Sequence, residues 1–572
     1  MQFAGVNVER GAPCRMRDGT TLYADIYRPA DAGSYPVLLM RQPYGRTLAS
    51  TVTYAHPVWY VGQGYIVVIQ DVRGRGDSEG SFTPFIQEVE DGYDTVEWAA
   101  ALPGSTGKVG MYGFSYQGTT QWAAAAARPP HLAAIAPAMC AADLYNGMFY
   151  PHGRFAVGSF LPWAFQLARD EARRAEDGEA EQLCSQLMRQ PDALLSELPL
   201  LQEHPLLASY FPFYYEWCGH PLYDDYWEAR NFLPQALQEP LPALHIGGWF
   251  DNYLGGTLQT YEALQRLPQS SERYHRLIIG PWGHIPWGRK AGGEDYGPEA
   301  EGNLHEAHLN WFDYWLKGKG QGLQHEPNVR YYELGSKTWQ AAEMLPPTTD
   351  ISSSEGVTYY LTSNGKPANG ASGGGLLTVG KSVSKAGPEA DVYVYDARLP
   401  MPCSGYLPMD RSSIQDRYEI LNYTSEPLAQ AMRLWGAPQV SIWCQSMEGT
   451  TDLVAILSAV SPGGKATFLS IGRGEIGGDG ERGLTEWSPV TFAMRPLAME
   501  LEAGMSIRIE LTGSAFPLFI RHPNGLAAEQ LPTARPEQLR MTAVAVGRSE
   551  SLPSWIQLPI LNTATEREGS HV

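Results

Sequence analysis

Cysteine is scarce in this chain. Of 572 residues six are cysteine, and Cys14, Cys140, Cys184, Cys218, Cys403 and Cys444 are scattered with no C-x-x-C pair. The spacing excludes a cysteine zinc motif and a disulfide framework, and it fits a reducing, cytoplasmic setting. Long apolar runs are missing too. No stretch of about 18 apolar residues occurs, so no membrane-spanning helix is expected. Met1–Arg10 lacks the basic start and apolar stretch of a secretory leader. Basic residues are outnumbered, 42 Lys and Arg against 62 Asp and Glu, for a net charge of −20. Such a chain is poorly matched to nucleic-acid phosphates or an anionic membrane surface, so neither partner is expected, and the charge reads as solubility. None of the 13 histidines forms an H-E-x-x-H pattern. His305 and His308 lie three apart in H-E-A-H, where packing is the expected role, and no metal or cofactor is predicted. There is no internal repeat.

What the chain has is an ordinary globular composition, 43% apolar and 18% charged, with 16 tryptophans and 31 tyrosines suited to cores and apolar pockets. Its length predicts two to four domains at roughly 150 residues each. Residues 8 to 35 alternate polar and apolar around turns at Asp18-Gly19 and Asp31-Ala-Gly33, as antiparallel strands do. Pro36–Met40 and Gly64–Ile69 are short apolar runs of the kind buried in parallel sheets, and Glu88–Ala101 has a helical pattern. Lys108–Phe114 leads into Gly113-Phe-Ser115-Tyr-Gln-Gly118 and an alanine-rich helix, then another strand at Leu132–Pro137. Alternating strand and helix predicts a parallel sheet with crossover helices. After about residue 144 the pattern turns helical and aromatic, reading as a cap over the ligand side of the sheet. Strands resume at Pro242–Ile246 and His275–Ile279. From about Val329 short alternating strands and turns predict an antiparallel β-sandwich. The expected division is residues 1–144 and 241–325 for the α/β domain, 145–240 for the helical cap and 326–572 for the sandwich.

Ser115 occupies a corner between strand and helix with glycine two before and three after, the way an α/β-hydrolase presents a nucleophile. A glycine-rich turn with an incidental serine is the competing reading, and the second glycine comes one residue later than in the usual G-x-S-x-G. A serine hydroxyl needs a base, and the base needs a third group to orient it. Asp251 and His284 follow the next two strands in the order this superfamily uses. Alone, Asp251 reads equally as a helix N-cap and His284 as a loop histidine; together with Ser115 they form a catalytic set. The oxyanion donors expected are the Tyr116 backbone N–H and the Tyr44 hydroxyl, in the loop after Pro36–Met40.

These strings resemble the cocaine esterase and X-Pro dipeptidyl-peptidase type of acyl hydrolases, often labelled CocE/NonD. The match runs through Arg41-Gln-Pro-Tyr44, Gln70-Asp-Val-Arg-Gly-Arg-Gly-Asp-Ser-Glu-Gly80, Gly113-Phe-Ser-Tyr-Gln-Gly118, Gly248-Trp-Phe-Asp251, Gly280-Pro-Trp-Gly-His284, Asp295-Tyr-Gly-Pro-Glu299 and Trp311-Phe-Asp-Tyr-Trp-Leu-Lys-Gly318. Thr424–Leu428 and Phe516–Phe519 match more loosely. The shifted Gly118 is this family's own form. The resemblance implies an α/β-hydrolase domain with a helical cap and a C-terminal jelly roll. It implies Ser115 as nucleophile, His284 as base, Asp251 as its acid, and Tyr44 and Tyr116 as the oxyanion hole. It also implies an oligomer, commonly a homodimer.

Relatives acting on α-amino acid esters hold the substrate ammonium with carboxylates two and three residues after the triad aspartate; here those positions are Tyr253 and Leu254. The expected substrate is therefore a small-molecule ester with an uncharged bulky or aromatic acyl group, in an apolar pocket to which Trp163 and Tyr253 contribute. Asp224 and Asp225 in the cap are the alternative amine site. The runner-up activities use the same triad on amides: X-Pro dipeptidyl-peptidase, amidase or β-lactam side-chain acylase. A non-catalytic carbohydrate-binding or scaffolding role for the sandwich is the third reading.

Overall fold

The two apolar runs near the N-terminus become the centre of a sheet because neither has a polar face to give to water. In this computed structural model they are β3 (Tyr35–Gln42) and β4 (Ile66–Asp71), buried almost throughout. They pair in parallel, as strands buried on both faces do. Residues 5–47, 51–197, 200–267, 275–320, 323, 325–348, 356–380, 389–477 and 486–561 are described. The predicted antiparallel start forms as β1 (Val6–Arg15) and β2 (Thr21–Pro29), and β2 is laid along β4. The remaining parallel strands are β5 (Ser105–Phe114), β6 (Leu132–Ala138), β7 (Ala243–Gly248) and β8 (His275–Gly280). The sheet order runs β1-β2-β4-β3-β5-β6-β7-β8 and continues past β8 with a hairpin. The serine corner therefore ends a central strand, where α/β sheets put their ligands.

Between β3 and β4 lies α1 (Pro57–Gly62), and between β4 and β5 lies α2 (Glu88–Ala100); α3 (Tyr116–Ala127) follows β5. From β6 to β7 the chain is helical, as its sequence predicts. The longest pieces are α4 (Val157–Arg174) and α5 (Gly178–Arg189). Five short helices follow: α6 (Asp192–Leu195), α7 (Pro205–Tyr210), α8 (Phe213–Gly219), α9 (Asp225–Glu228) and α10 (Leu233–Gln238). Their aromatics stack on one another: Phe149 on Phe160 at 3.8 Å and Trp163 on Trp217 at 5.2 Å. Beyond β7 come α11 (Leu254–Gln265) and α12 (Leu304–Lys317). His308 of α12 is buried, stacked 5.2 Å from Tyr54 with Nδ1 3.4 Å from the Tyr60 hydroxyl. Among the described residues no group of three potential ligands could hold a metal. No described helix is long and apolar enough to cross a membrane.

One expectation about the sandwich is corrected. The strands Val329–Glu333 and Thr338–Ala342, read from sequence as its beginning, belong to the first sheet. Val329 to Tyr331 pair in parallel with Leu277 to Ile279 of β8, and Thr338–Ala342 closes the hairpin. Alternation alone cannot assign a strand to a sheet; the register of Val329–Tyr331 on β8 does. Among the described residues the second sheet has eleven strands between Gly356–Ser363 and Trp555–Pro559, antiparallel except where Gly375–Val379 runs beside Leu421–Ser425. It has its own core around Tyr393, Leu453, Leu457, Ile509 and Val544.

Candidate active site

Ser115 sits where β5 turns into α3, at φ 60° and ψ −128°, a conformation that only strong local packing imposes on a residue with a Cβ. Its N–H bonds the Ala138 carbonyl at 3.0 Å, and its own carbonyl accepts from Gly118 and Thr119, which begins the helix. The late glycine of this corner has a packing reason: a Cβ on Gly118 would lie 2.6 Å from Cys140 Sγ and 2.9 Å from the Ala138 carbonyl oxygen. Position 117, the glycine of the usual pattern, instead holds Gln117, whose Oε1 accepts from Phe114 N at 3.3 Å. The side chain of Ser115 stays accessible while its neighbours are buried.

Asp251 and His284 are brought together by the loops after β7 and β8. Trp249 N bonds the Gly280 carbonyl and Phe250 N the Trp282 carbonyl, both at 2.9 Å. His284 Nδ1 lies 2.7 Å from Asp251 Oδ1, and Asp251 is fully buried. That contact places the ring proton on Nδ1 and leaves Nε2 to accept. Asp251 does not cap a helix, since α11 starts from Tyr253 without a side-chain cap. The His284 ring is flanked by Phe114 at 5.5 Å and edge-on by Tyr253 at 4.9 Å.

The loop carrying Tyr44 is clamped from below by the string Gln70–Gly80. Arg46 N donates to Asp71 Oδ1 at 2.6 Å, the Arg46 guanidinium pairs with Asp71, and Arg75 Nε donates to the Pro43 carbonyl at 3.0 Å. Gly76 is required because a Cβ there would fall 2.0 Å from Asp71 Oδ2. Arg41 pairs with Glu88 at 2.6 Å, and Glu88 accepts the Tyr116 hydroxyl at 2.9 Å, which ties this loop to the serine corner. Burial raises the Tyr44 phenol above its ordinary value, opposed by the neighbouring Trp163 and Ser115 side chains and by Arg75, so Tyr44 stays protonated and can donate. The Tyr116 N–H is the first of α3, a position that has no intrahelical acceptor.

Ser115, His284, Tyr44, Tyr116, Tyr253 and Trp163 all face one cavity of about 370 Å³, with α4 and α5 of the cap supplying Trp163 and Met188. Exposed Val52 and Ile285 stand at its mouth. Apart from His284, its described lining residues are apolar, aromatic, hydroxyl or amide. Asp224 and Asp225 are not part of the lining. Asp224 caps α9 through Tyr226 N and pairs with His220 at 2.6 Å. Sequence reasoning passed over Gln166, Asn252 and Ser159, also in the lining. A signal for Gln166 was present in its place three residues after Trp163, on the same helix face. It also passed over Arg495, which reaches from the loop after the strand Ser488–Ala493 to the Asp251 carbonyl and has no local sequence signal.

Comparison with known proteins gives the family and the fold. Residues 18–286 match the model of the X-Pro dipeptidyl-peptidase (S15) family, and residues 321–545 match that of an X-Pro dipeptidyl-peptidase C-terminal non-catalytic domain. The chain is 31% identical to a cocaine esterase from Rhodococcus sp. (strain MB1 Bresler), over 96% of this chain and 97% of that one. In fold it resembles an α-amino acid ester hydrolase (TM-score 0.80, 21% identity, 97% of each chain covered). It also resembles an aminopeptidase from a marine-sediment Thaumarchaeota archaeon (TM-score 0.78, 22% identity, covering 98% of this chain and 97% of that chain).

Proposed function

Because the chain belongs to the cocaine esterase and X-Pro dipeptidyl-peptidase family of acyl hydrolases, we propose that Ser115, His284 and Asp251 are its triad and that it cleaves carboxylic esters with an uncharged, bulky or aromatic acyl group. Ser115 Oγ attacks the ester carbonyl and gives its proton to His284 Nε2, while Asp251 holds Nδ1–H and stabilises the imidazolium. The Tyr44 hydroxyl and Tyr116 N–H donate to the oxyanion. As the intermediate collapses, the proton on Nε2 passes to the departing alcohol and the acyl group stays on Ser115. Water then gives a proton to Nε2, attacks the acyl carbonyl, and the second collapse returns the proton to Ser115 and releases the acid.

The observation that carries the substrate class is the uncharged cavity. A peptide N-terminus or an α-amino ester brings an ammonium that must lose water on entry, and no carboxylate among the described lining residues faces it. An aromatic or branched acyl group pairs instead with Trp163, Tyr253 and Phe85, and the volume suits one small ester. All six cysteines are unpaired and buried, which supports a reducing, cytoplasmic setting.

The test is a panel of aryl and alkyl esters with wild type and Ser115→Ala. The variant is expected to lose at least ~10³-fold in kcat, and turnover comparable to wild type overturns the nucleophile. Ala-Pro-anilide set against a phenyl ester decides the substrate: preference for the anilide reverses the order and favours the dipeptidyl-peptidase reading.

A further inference from the structure

One face of α4 lines the cavity with Ser159, Pro162, Trp163 and Gln166, the i, i+3, i+4, i+7 stripe of a helix. Besides the serine corner and its tyrosines, the lining carries the neutral polar side chains of Ser159, Gln166 and Asn252. Near the triad, Asn252 Nδ2 donates to Ser159 Oγ at 2.9 Å. That bond leaves Asn252 Oδ1 and the Ser159 hydroxyl proton unengaged among the described residues. Two turns along α4, ~10 Å away, the Gln166 amide has neither its carbonyl nor its NH₂ engaged by any described residue. It is half-buried and lines the same cavity as Trp163 and Met188.

We propose that the Gln166 amide is a specificity subsite for an ester carrying an uncharged donor–acceptor group, such as a carboxamide, with the Ser159–Asn252 pair as its second polar wall nearer the triad. The proposal rests on the esterase reading of the same cavity and narrows it. An amide presents one acceptor and two donors and is matched by a group that presents both. A charged group would find no counter-ion in the described lining. An apolar group would occupy the space but strip Gln166 of water without pairing it, and sites built on such hydrogen bonds reject substrates that lack the partner group.

Two pairs of esters of matched shape test this. Phenyl 4-carbamoylbenzoate and phenyl 4-isopropylbenzoate place the amide or its apolar counterpart on the acyl side; 4-carbamoylphenyl benzoate and 4-isopropylphenyl benzoate place it on the alcohol side. The readout is the kcat/KM ratio within a pair, so any general loss of activity or folding in a variant cancels. Wild type is expected to prefer the carbamoyl ester by ~10-fold or more in at least one pair. Gln166→Leu and Gln166→Met are expected to abolish or reverse that preference, mainly through KM. A ratio unchanged within about twofold in both variants overturns the subsite, as does a wild-type preference for the isopropyl ester in both pairs. Phenyl benzoate separates the two levels: no turnover of it by wild type overturns the esterase reading and the subsite with it, whereas turnover with an unaltered ratio overturns the subsite alone.

Discussion

Arg495 and Asp251 meet through the main chain. The Arg495 guanidinium donates Nη2–H to the carbonyl of Asp251 and, at 3.2 Å, to that of Trp249. It is buried, with the Tyr406 ring 3.8 Å from its centre. Burial draws the guanidinium below the usual arginine range, and Tyr406 and the Asp251 charge oppose that. A segment whose family model is described as non-catalytic thus holds the turn that presents the proposed triad acid.

Arg495→Met is expected to remove the guanidinium donor from the Trp249 and Asp251 carbonyls, leaving Asp251 with the Leu254 N–H alone, and to loosen that turn. We expect kcat on a phenyl ester to fall ~10²-fold, in line with the cost of misplacing a catalytic group, with KM changed far less. Arg495→Lys should recover part of the loss, since an ammonium can still reach one carbonyl. Steady-state kinetics beside near-ultraviolet circular dichroism check this, and wild-type kcat in a folded Arg495→Met enzyme contradicts it.

Tyr44→Phe removes one proposed oxyanion donor and keeps the ring in its clamped loop. The expected cost is ~10²–10³-fold in kcat with KM little altered. A phenylboronic acid that adds to Ser115 should lose affinity to a similar degree. An effect confined to KM would make Tyr44 a wall of the cavity and not a donor.

Gly118→Ala tests the packing of the serine corner. Its methyl would press on Cys140 Sγ and the Ala138 carbonyl, an overpacking cost of ~1–3 kcal/mol. Thermal unfolding should begin at lower temperature and activity should drop. The double variant with Cys140→Ala should recover only part of both, because the carbonyl oxygen belongs to β6 and cannot move aside.

Stability should fall as pH drops from about 6.5 towards 4. Burial lowers His522 to about 4 and His308 to about 3 from the ordinary 6.5. Both rings are therefore neutral in the fold at pH 5, whereas the unfolded chain binds their protons. Folding loses stability across that window, up to ~1.4 kcal/mol per unit of depression for each group. Above pH 6.5 this contribution is complete. Unfolding midpoints measured from pH 4 to 8 should show the slope, and His522→Asn should make it shallower, leaving the share of His308 and the other buried histidines; an unchanged slope in the variant would remove His522 from it.

How much of this was legible in the sequence follows from what is local. The strand-helix alternation, the serine corner and the two acidic and basic loop ends are written in short windows, because backbone geometry and burial act over a few residues. Asp251 and His284 could be proposed as partners because consecutive parallel strands end at one edge of a sheet. Trp163 and Tyr253 were reached through aromatic content and one family departure, and both face the cavity.

Other features depend on contacts that no window contains. Val329–Glu333 alternates like a sandwich strand, and only its register on β8 assigns it to the first sheet. Arg495 lies in sequence far from Asp251 and has no motif around it; its role exists because two sheets pack together. Gln166 is an unremarked glutamine until the cap folds over Ser115 and leaves its amide in an apolar cavity. The sequence by itself determined the chemistry on offer, since the proposed nucleophile, base, acid and donors are residue types at strand ends. Tertiary structure decided the rest: which segment holds the Asp251 turn, how the Tyr44 loop is clamped, and what lines the pocket. These are properties of surfaces that meet only after the chain has folded.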